Sequence, residues 1–309
     1  MIPGQDIIRA ARILRQGGLV AFPTETVYGL GADACNDEAV ARVFAAKGRP
    51  QFNPLIAHVT DLAAAEKLGV FPAAARALAD AFWPGPLTIA VERAAGCPVS
   101  RLASAGLSSL ALRVPAHTLA LALLAEFGGP VVAPSANASG RISPTSAAHV
   151  RASLGEAVDM ILDGGPSQVG VESTVVSFLD GPPRLLRPGG LPREEIEACL
   201  GTRLAEPAAG PLHSPGQIES HYAPRATLRL NADAPVGGEV YLGFGIHSHG
   251  PHTLSATGNL IEAAANLFRM LHDLDAEGPH RIAVAPIPHA GLGDAINDRL
   301  NRAAAPRPA

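Results

Sequence analysis

Side chains that can bind anions follow several apolar segments of this 309-residue chain. Residues 24–29 bring two threonines, a glutamate and a tyrosine directly after the apolar run 19–22, although a capping loop explains that pattern equally well. Ser109 and Arg113 lie on one face of a predicted strand, because residues four apart along a strand point to the same side. An arginine on a buried face needs an anionic partner, so this segment predicts an anion-binding site.

Lys47 and Arg49 form a basic corner at the end of a predicted helix, which Pro50 stops. Cations at this position can simply stabilise the helix dipole. The spacing also favours a rigid site for phosphate oxygens, which lysine meets as a point charge and arginine as a fork. Lysine is rare in this chain, since it occurs only here and at position 67.

Small hydroxyl and amide side chains follow another apolar strand. The sequence Pro-Ser-Ala-Asn-Ala-Ser-Gly spans residues 134–140, and Ser143 lies just beyond it. An ordinary turn accounts for this composition, but exposed amides and hydroxyls also form nests for phosphate or carboxylate groups. Ser173 and Arg187 add a hydroxyl and a guanidinium at the ends of two further predicted strands. Together these segments supply several anion-binding groups and no covalent nucleophile.

Common catalytic and metal-binding motifs are missing from the sequence. Neither a Walker-type phosphate loop nor the short motifs of zinc proteases and serine hydrolases occurs. Residues 29–34 match a dinucleotide fingerprint weakly, because Arg49 stands where the acid that binds the ribose is expected. The histidines within residues 247–252 lie among Gly, Ser and Pro, which favours a solvated loop over a metal site. The three cysteines are far apart, which predicts buried apolar thiols.

Length and composition indicate a turn-rich, enzyme-like globular chain of about two domains. The net charge of −4 argues against the broad basic surface that stable nucleic-acid binding needs. No uncharged apolar run approaches the roughly 18 residues of a membrane helix. The amino-terminal segment also lacks the features of a signal peptide. We therefore expect a cytoplasmic protein without a membrane partner.

Hydrophobic periodicity predicts alternating strands and helices in the first 200 residues. Strands are predicted over 19–22, 54–59, 87–92, 109–114, 130–134, 160–162, 173–179 and 184–186. Helices are predicted over 5–16, 37–46, 73–82, 117–126, 145–153 and 192–199. Crossover helices are missing between the later strands, so the fold class is α/β with a mixed sheet flanked by helices.

A proline-rich segment separates this region from a smaller α/β unit. In that unit we predict strands over 227–230, 239–244 and 281–287, and helices over 260–274 and 292–304. The predicted organisation is a catalytic domain over 1–205, a linker over 206–225 and a small domain over 226–309.

Several motifs carry a family resemblance over the first 200 residues. They are Pro23-Thr-Glu-Thr-Val-Tyr-Gly-Leu-Gly31, Lys47-Gly-Arg-Pro50, Asn53-Pro-Leu55, Trp83-Pro-Gly-Pro-Leu-Thr88, Leu112-Arg-Val-Pro115, Pro134-Ser-Ala-Asn137, Glu172-Ser-Thr174 and Leu186-Arg-Pro-Gly189. They closely resemble the YrdC-like threonylcarbamoyl-AMP synthase family. Ser214-Pro-Gly216, His221-Tyr-Ala-Pro224 and residues 291–300 are similar to the linker and the Rossmann-like C-terminal domain of its longer, two-domain form.

The resemblance implies that L-threonine, bicarbonate or CO2, and ATP yield threonylcarbamoyl-AMP and pyrophosphate. The carbamate formed on threonine would itself attack the α-phosphorus, which explains the missing nucleophile. The implied threonine ligands are Thr26, His58, Arg113 and Ser173. The implied ATP ligands are Arg49, Asn53, Ser109, Ser135, Ser143, Arg187 and Tyr222. Lys47 and Arg49 would be the catalytic cations, and Mg2+ would be carried by ATP rather than by a protein metal site.

The resemblance also implies where the product goes, and two other functions are possible for a chain of this kind. The product would pass to a tRNA threonylcarbamoyl transferase system, with no stable nucleic-acid complex on this chain. A non-catalytic RNA-binding or nucleotide-binding regulator is the first alternative. The acidic pI and the complete set of residues implied to bind threonine disfavour it. A carbamoyl-adenylate maturase is the second, which the missing C-x-x-C pairs disfavour.

The linker is a candidate lid over the first domain's cleft. Residues 214–224 are too rich in proline to form a helix, yet they carry the aromatic pair His221 and Tyr222. We hypothesise that Tyr222 reaches the nucleotide and excludes water from a labile mixed anhydride. A passive tether is the alternative.

Overall fold

A computed structural model describes residues 4–48, 53–179, 181–206 and 221–306. Its helices are α1 (Gly4–Arg15), α2 (Asp37–Lys47), α3 (Leu62–Glu66), α4 (Ala73–Phe82), α5 (Thr118–Phe127), α6 (Ala147–Leu154), α7 (Arg193–Leu200), α8 (Leu260–Glu277) and α9 (Leu292–Ala304). Its strands are β1 (Val20–Phe22), β2 (Gly29–Asp33), β3 (Ile56–His58), β4 (Gly69–Val70), β5 (Leu87–Arg93), β6 (Ser109–Arg113), β7 (Val131–Val132), β8 (Met160–Ile161), β9 (Thr174–Ser177), β10 (Arg184–Arg187), β11 (Thr227–Arg229), β12 (Val240–Leu242) and β13 (Arg281–Val284).

Ten strands form one sheet in the order β10-β9-β5-β6-β3-β7-β2-β1-β8, with β4 beside β5. The pairs β3–β6, β5–β9 and β1–β8 are parallel, whereas β5–β6 and β3–β7 are antiparallel. The prediction of an α/β fold with a mixed sheet is therefore confirmed. In the parallel pair β3–β6, His58 lies opposite Arg113. This register places the two side chains next to each other on one face of the sheet.

The hydrophobic pattern does not predict β2, β4 or α3. Glycine occupies the first and third positions of β2, Gly29 and Gly31. Glycine is usually unfavourable inside a strand. Here close packing explains it, because a Cβ atom on Gly31 would lie 2.8 Å from the Phe22 ring and 3.0 Å from the carbonyl oxygen of Val20. The glycines that imitate a dinucleotide fingerprint therefore let β1 and β7 pack closely against β2.

Apolar residues form two large cores. The first lies on the face of the large sheet that carries Ala57 and Leu112, under α2 and α4. The second is built on a three-stranded parallel sheet, β11-β13-β12, with α8 and α9. Val27, Ile142 and Val171, which come from the loops of the first unit, also belong to this second core. The two units are thus joined by shared apolar burial.

The prediction of buried cysteines is wrong. Cys35 and Cys199 are exposed, and Cys97 is partly buried. Cys35 lies in the turn between β2 and α2, and Cys199 lies in the last turn of α7, whose buried residue is Ile196. An isolated cysteine does not belong to a hydrophobic pattern, so the sequence does not show whether its side chain faces the core or the solvent. Along the described ranges, no helix combines the length and the hydropathy that a membrane span requires.

We predict that Gly31→Ala lowers the free energy of unfolding by about 1 to 3 kcal/mol, because the added methyl group overpacks the contact with Phe22. Urea unfolding measures this change. Gly4→Ala is the matched control, because a Cβ atom there has no neighbour within 4 Å. Equal stability of the two variants would contradict the packing explanation of β2.

Candidate active site

One cavity, with an internal volume of about 40 Å³, lies where the large sheet meets His221 and Tyr222. It is lined by Thr26, Val27, Ile56, His58, Arg113, Ala133, Pro134, Ser135, Glu172, Ser173, Arg187, His221 and Tyr222. All four predicted threonine ligands are among these residues, together with three of the predicted ATP ligands. Short loops carry most of them, while β3, β6 and β10 fix the remainder at strand ends.

Arg113 is held by an ion pair that the sequence analysis did not assign. Its Nη2 atom donates to Glu25 Oε1 at 2.6 Å and to Thr26 Oγ1 at 2.9 Å, and its Nε atom donates to the carbonyl oxygen of Gly85 at 3.3 Å. Glu25 is buried, and its Oε2 atom has no hydrogen-bond partner among the described residues. A glutamate directly after an apolar strand was the available sequence signal for this role.

His58 is uncharged at neutral pH. Burial lowers the pKa of His58 to about 3, and the charge of Arg113 acts in the same direction. Its ring meets Phe22 edge-on, with ring centroids 6.3 Å apart. The Nδ1 atom has no hydrogen-bond partner in the described part of the chain. This imidazole can therefore exchange a hydrogen bond with a ligand without adding a second positive charge beside Arg113.

A hydroxyl and a guanidinium meet where β9 begins and β10 ends. Ser173 Oγ lies 2.7 Å from Thr88 Oγ1 on the neighbouring strand. Arg187 Nη2 donates to the carbonyl oxygen of Ser173 at 2.8 Å and to its Oγ atom at 3.2 Å. The bulge between Leu185 and Arg187 gives β10 the register shift that accompanies this approach.

Glu172 connects Ser143 to this cluster, and it is a second residue that the sequence analysis left unassigned. Its Oε1 atom accepts from Ser143 Oγ at 2.5 Å, and its Oε2 atom accepts from Arg299 Nε at 2.8 Å. Burial by itself raises the pKa of Glu172, but the charges of Arg299 and Arg187 outweigh it and lower the pKa to about 2. This carboxylate is ionised throughout the physiological range.

Lys47 stabilises the loop that follows β7 through hydrogen bonds to its backbone. Its Nζ atom donates to the carbonyl oxygens of Ser135 and Asn137, each at 2.5 Å, and the side chain is 3% exposed. Gly48 ends α2 in the left-handed conformation, with φ of 58°. This cation therefore holds the backbone of Ser135, which lines the cavity.

Tyr222 closes one side of the cavity. Its ring is fully buried, 4.0 Å from the His221 ring and 5.4 Å from the Phe268 ring between centroids. Burial, followed by the charge of Glu172, raises the pKa of Tyr222 to about 12. The phenol is therefore a neutral hydrogen-bonding group at physiological pH.

Some of the predicted ATP ligands are not among the residues that line the cavity. Ser109 lies at the start of β6, opposite Glu92, whereas Arg113 ends that strand. At about 3.3 Å per residue the two lie roughly 13 Å apart. Asn53 is buried outside the cavity lining. Arg49 and linker residues 207–220 lie outside the described residues.

The arrangement can bind a small carboxylate beside phosphate groups. Arg113 and Arg187 supply positive charge, His58 supplies a neutral imidazole, and hydroxyl groups surround them. Within the described ranges, no set of three His, Cys, Asp or Glu side chains could hold a metal ion. The side chains that line the cavity can offer positive charge and hydrogen bonds to a ligand.

Matches to known protein families span almost the whole chain. Residues 12–189 match a family model described as "Telomere recombination", and residues 191–305 match one described as "Threonylcarbamoyl-AMP synthase, C-terminal domain". The threonylcarbamoyl-AMP synthase of Pyrococcus abyssi is 41% identical over 95% of this chain and 92% of that protein. The one of Bacillus subtilis is 41% identical over 98% of this chain and 94% of that protein.

Solved structures agree with these matches. The crystal structure of P. abyssi Sua5 complexed with L-threonine has a TM-score of 0.91 and 38% identity, and the match covers 98% of this chain and 95% of that one. E. coli YciO shares the fold of the first unit, with a TM-score of 0.55 and 24% identity over 60% of this chain and 90% of its own.

A stacked histidine pair at the boundary of the two units predicts a pH dependence of stability. The rings of His149 on α6 and His272 on α8 lie 3.8 Å apart, and His272 Nε2 is 3.1 Å from the carbonyl oxygen of Ser143. Burial, then the neighbouring His272, lowers the pKa of His149 to about 4. Burial also lowers the pKa of His272. The unfolded chain therefore binds more protons than the folded chain below about pH 6.5.

We expect the free energy of unfolding to decrease as the pH falls from about 6.5 to 4. His149→Asn should reduce that slope by up to about one proton per molecule, because a titrating group is removed from the unfolded state. Urea unfolding at several pH values measures the slope. The exposed His289 provides the control His289→Asn. A slope unchanged by His149→Asn would contradict the assignment.

Proposed function

This chain belongs to the threonylcarbamoyl-AMP synthase family and is an enzyme of the nucleotidyltransferase type, and on that premise we propose its reaction. L-threonine, bicarbonate or CO2, and ATP are converted to threonylcarbamoyl-AMP and pyrophosphate. The observation that carries the proposal is the single cavity in which Arg113, His58 and Thr26 lie together with Arg187 and Tyr222. The threonine bound to the related P. abyssi protein supports it.

Threonine binds at the Arg113 end of the cavity in this proposal. Arg113 receives the carboxylate, and its ion pair with Glu25 keeps the guanidinium in place before the substrate arrives. Thr26 Oγ1 and the Nδ1 atom of His58, which has no partner among the described residues, offer hydrogen bonds to the polar groups of threonine. Ser173, which Thr88 orients, completes this half of the site.

ATP binds at the Arg187 end. Arg187 and the loop that carries Ser135 face the phosphates, while Tyr222 covers the nucleotide. Ser143 is held toward this region through Glu172. Lys47 acts on this loop through its bonds to the backbone of Ser135 and Asn137. Roles for Arg49, Asn53 and Ser109 in ATP binding rest on the family resemblance.

The reaction needs positioning and charge stabilisation rather than a protein nucleophile. The threonine nitrogen adds to the carbon of CO2 and loses a proton, which gives a carbamate. A carbamate oxygen then attacks the α-phosphorus, and the bond from that phosphorus to the bridging oxygen breaks to release pyrophosphate. Arg187 and neighbouring donors stabilise the charge that develops on the phosphate oxygens.

Mg2+ enters with ATP in this proposal and neutralises phosphate charge when bound. Mg2+ that accompanies a nucleotide is commonly ligated by phosphate oxygens and water. The product passes to a transferase system that modifies tRNA, and we accordingly place the reaction in the cytoplasm. The acidic net charge of −4 supports a transient rather than a stable encounter with RNA.

We predict that ATP yields pyrophosphate only when threonine and bicarbonate are both present, because the attacking carbamate has to be assembled first. A coupled pyrophosphate assay with each component omitted in turn measures this dependence. Other amino acids serve as controls for threonine. Release of orthophosphate and ADP instead of pyrophosphate would rule out the proposed reaction.

Arg113→Ala should weaken threonine binding by about 2 to 5 kcal/mol and affect ATP binding far less. The reason is that the substrate carboxylate loses its buried cationic partner. Calorimetric titration with threonine and with a non-hydrolysable ATP analogue separates the two effects. Because this variant also leaves Glu25 unpaired, Arg113→Ala combined with Glu25→Gln controls for misfolding. Equal losses for both ligands would contradict the assignment.

A further inference from the structure

The hydroxyl group of Thr24 lies behind the loop that lines the cavity at Thr26 and Val27. Thr24 is 2% exposed and is not itself among the lining residues. Its Oγ1 atom lies 2.6 Å from the carbonyl oxygen of Val27 and 2.8 Å from Thr26 Oγ1. The backbone N–H groups of Thr26 and Val27 also donate to it, each at 3.3 Å. One buried hydroxyl group therefore contacts both residues that face the ligand.

The chemistry of the partners fixes the direction of these hydrogen bonds. A carbonyl oxygen can only accept, so the single hydroxyl hydrogen of Thr24 is used on Val27. The contact between the two threonine hydroxyl groups then requires the hydrogen of Thr26. A guanidinium can only donate, so Arg113 Nη2 donates to Thr26 Oγ1 at 2.9 Å. Thr26 Oγ1 has therefore used its hydrogen and one of its two lone pairs.

The second lone pair of Thr26 Oγ1 remains for a ligand in the cavity that Thr26 lines. A ligand group that bonds there must donate a hydrogen. The same oxygen lies 2.9 Å from Nη2 of Arg113, the residue that receives the substrate carboxylate in the proposed function. In an α-amino acid the amino group is carried by the carbon next to the carboxylate. Its N–H is therefore the donor nearest to this acceptor.

We propose that Thr24 is a positioning residue that makes Thr26 a hydrogen-bond acceptor for the amino group of threonine. Thr24 does this by holding the hydroxyl hydrogen of Thr26 away from the ligand. An uncharged amine that directs one N–H to Thr26 keeps its nitrogen lone pair available for CO2. The site thereby selects an amine beside the carboxylate over a carbonyl group, which has no hydrogen to donate. The inference rests on the proposed function, because it takes the ligand at Arg113 to be threonine.

The test compares two ligands that differ only in the group beside the carboxylate, L-2-aminobutyrate and 2-oxobutyrate. Calorimetric titration of the full-length chain gives the ratio of their affinities, which a general weakening of the site leaves unchanged. In Thr24→Val the hydroxyl group of Thr26 can turn and donate to the carbonyl oxygen of 2-oxobutyrate. We expect the preference for the amine to fall about 3- to 10-fold. Thr24→Ser keeps a hydroxyl group and should keep the wild-type preference.

Kinetics should show the same separation between the substrates. For Thr24→Val we expect the KM for threonine to rise about 3- to 10-fold and the KM for ATP to change less than about twofold. The control is Ser100→Ala, which removes another buried hydroxyl group that bonds Asp37 and the N–H of Leu102 outside the cavity lining. This variant should resemble the wild type in both KM values and in the affinity ratio.

A double variant separates the proposed role from support of the loop. Thr26→Val removes the acceptor itself, so adding Thr24→Val to it should change the affinity ratio no further. Equal losses for both ligands in Thr24→Val, or a further change of the ratio in the double variant, would overturn the proposal. If Thr24→Val does not fold, Thr24→Ala takes its place, with the same fall in preference expected.

Failure of this inference differs from failure of the proposed function. A wild-type protein that releases no pyrophosphate from ATP with threonine and bicarbonate contradicts the reaction. An affinity ratio that stays at the wild-type value in Thr24→Val and in Thr24→Ala, with the wild-type reaction intact, contradicts the role of Thr24 alone.

Discussion

Compensation of buried positive charge is the constraint on which the cavity depends. Arg113 is balanced by Glu25, and Glu172 lies between the charges of Arg187 and Arg299. A guanidinium without such a partner costs several kcal/mol to bury. Because the partners are fixed by the fold, Arg113 and Arg187 are in place at the cavity before a ligand enters. Catalysis that relies on preset charge needs this arrangement, since little reorganisation then accompanies the reaction.

Local periodicity was sufficient to predict the strands that carry the site. Alternation over 54–59 and 109–114 predicted β3 and β6, whose parallel register brings His58 to Arg113. The position of β2 could not be predicted in this way. Close contact with Phe22 on the adjacent strand leaves no room for a side chain at Gly31. Such a contact leaves no pattern in the local sequence. The roles of individual ligands came from the family resemblance rather than from periodicity.

Partners from distant parts of the chain were the hardest features to predict. Arg299 and Glu172 are 127 residues apart in sequence, and the helix that carries Arg299 has an ordinary amphipathic pattern. Glu25 was visible as a polar residue after an apolar strand, yet its pairing with Arg113 depends on how two distant segments meet. Electrostatic pairs of this kind follow from tertiary packing, whereas helices and strands follow from short-range spacing.

The shared second core has a consequence for how the chain loses its structure on heating. Val27, Ile142 and Val171 pack with residues of α8, so unfolding of the second unit exposes apolar surface of the first. The two units are therefore expected to melt in one cooperative transition. A ligand that binds in the cavity would raise the melting temperature of both units together, because its binding free energy is coupled to the whole transition.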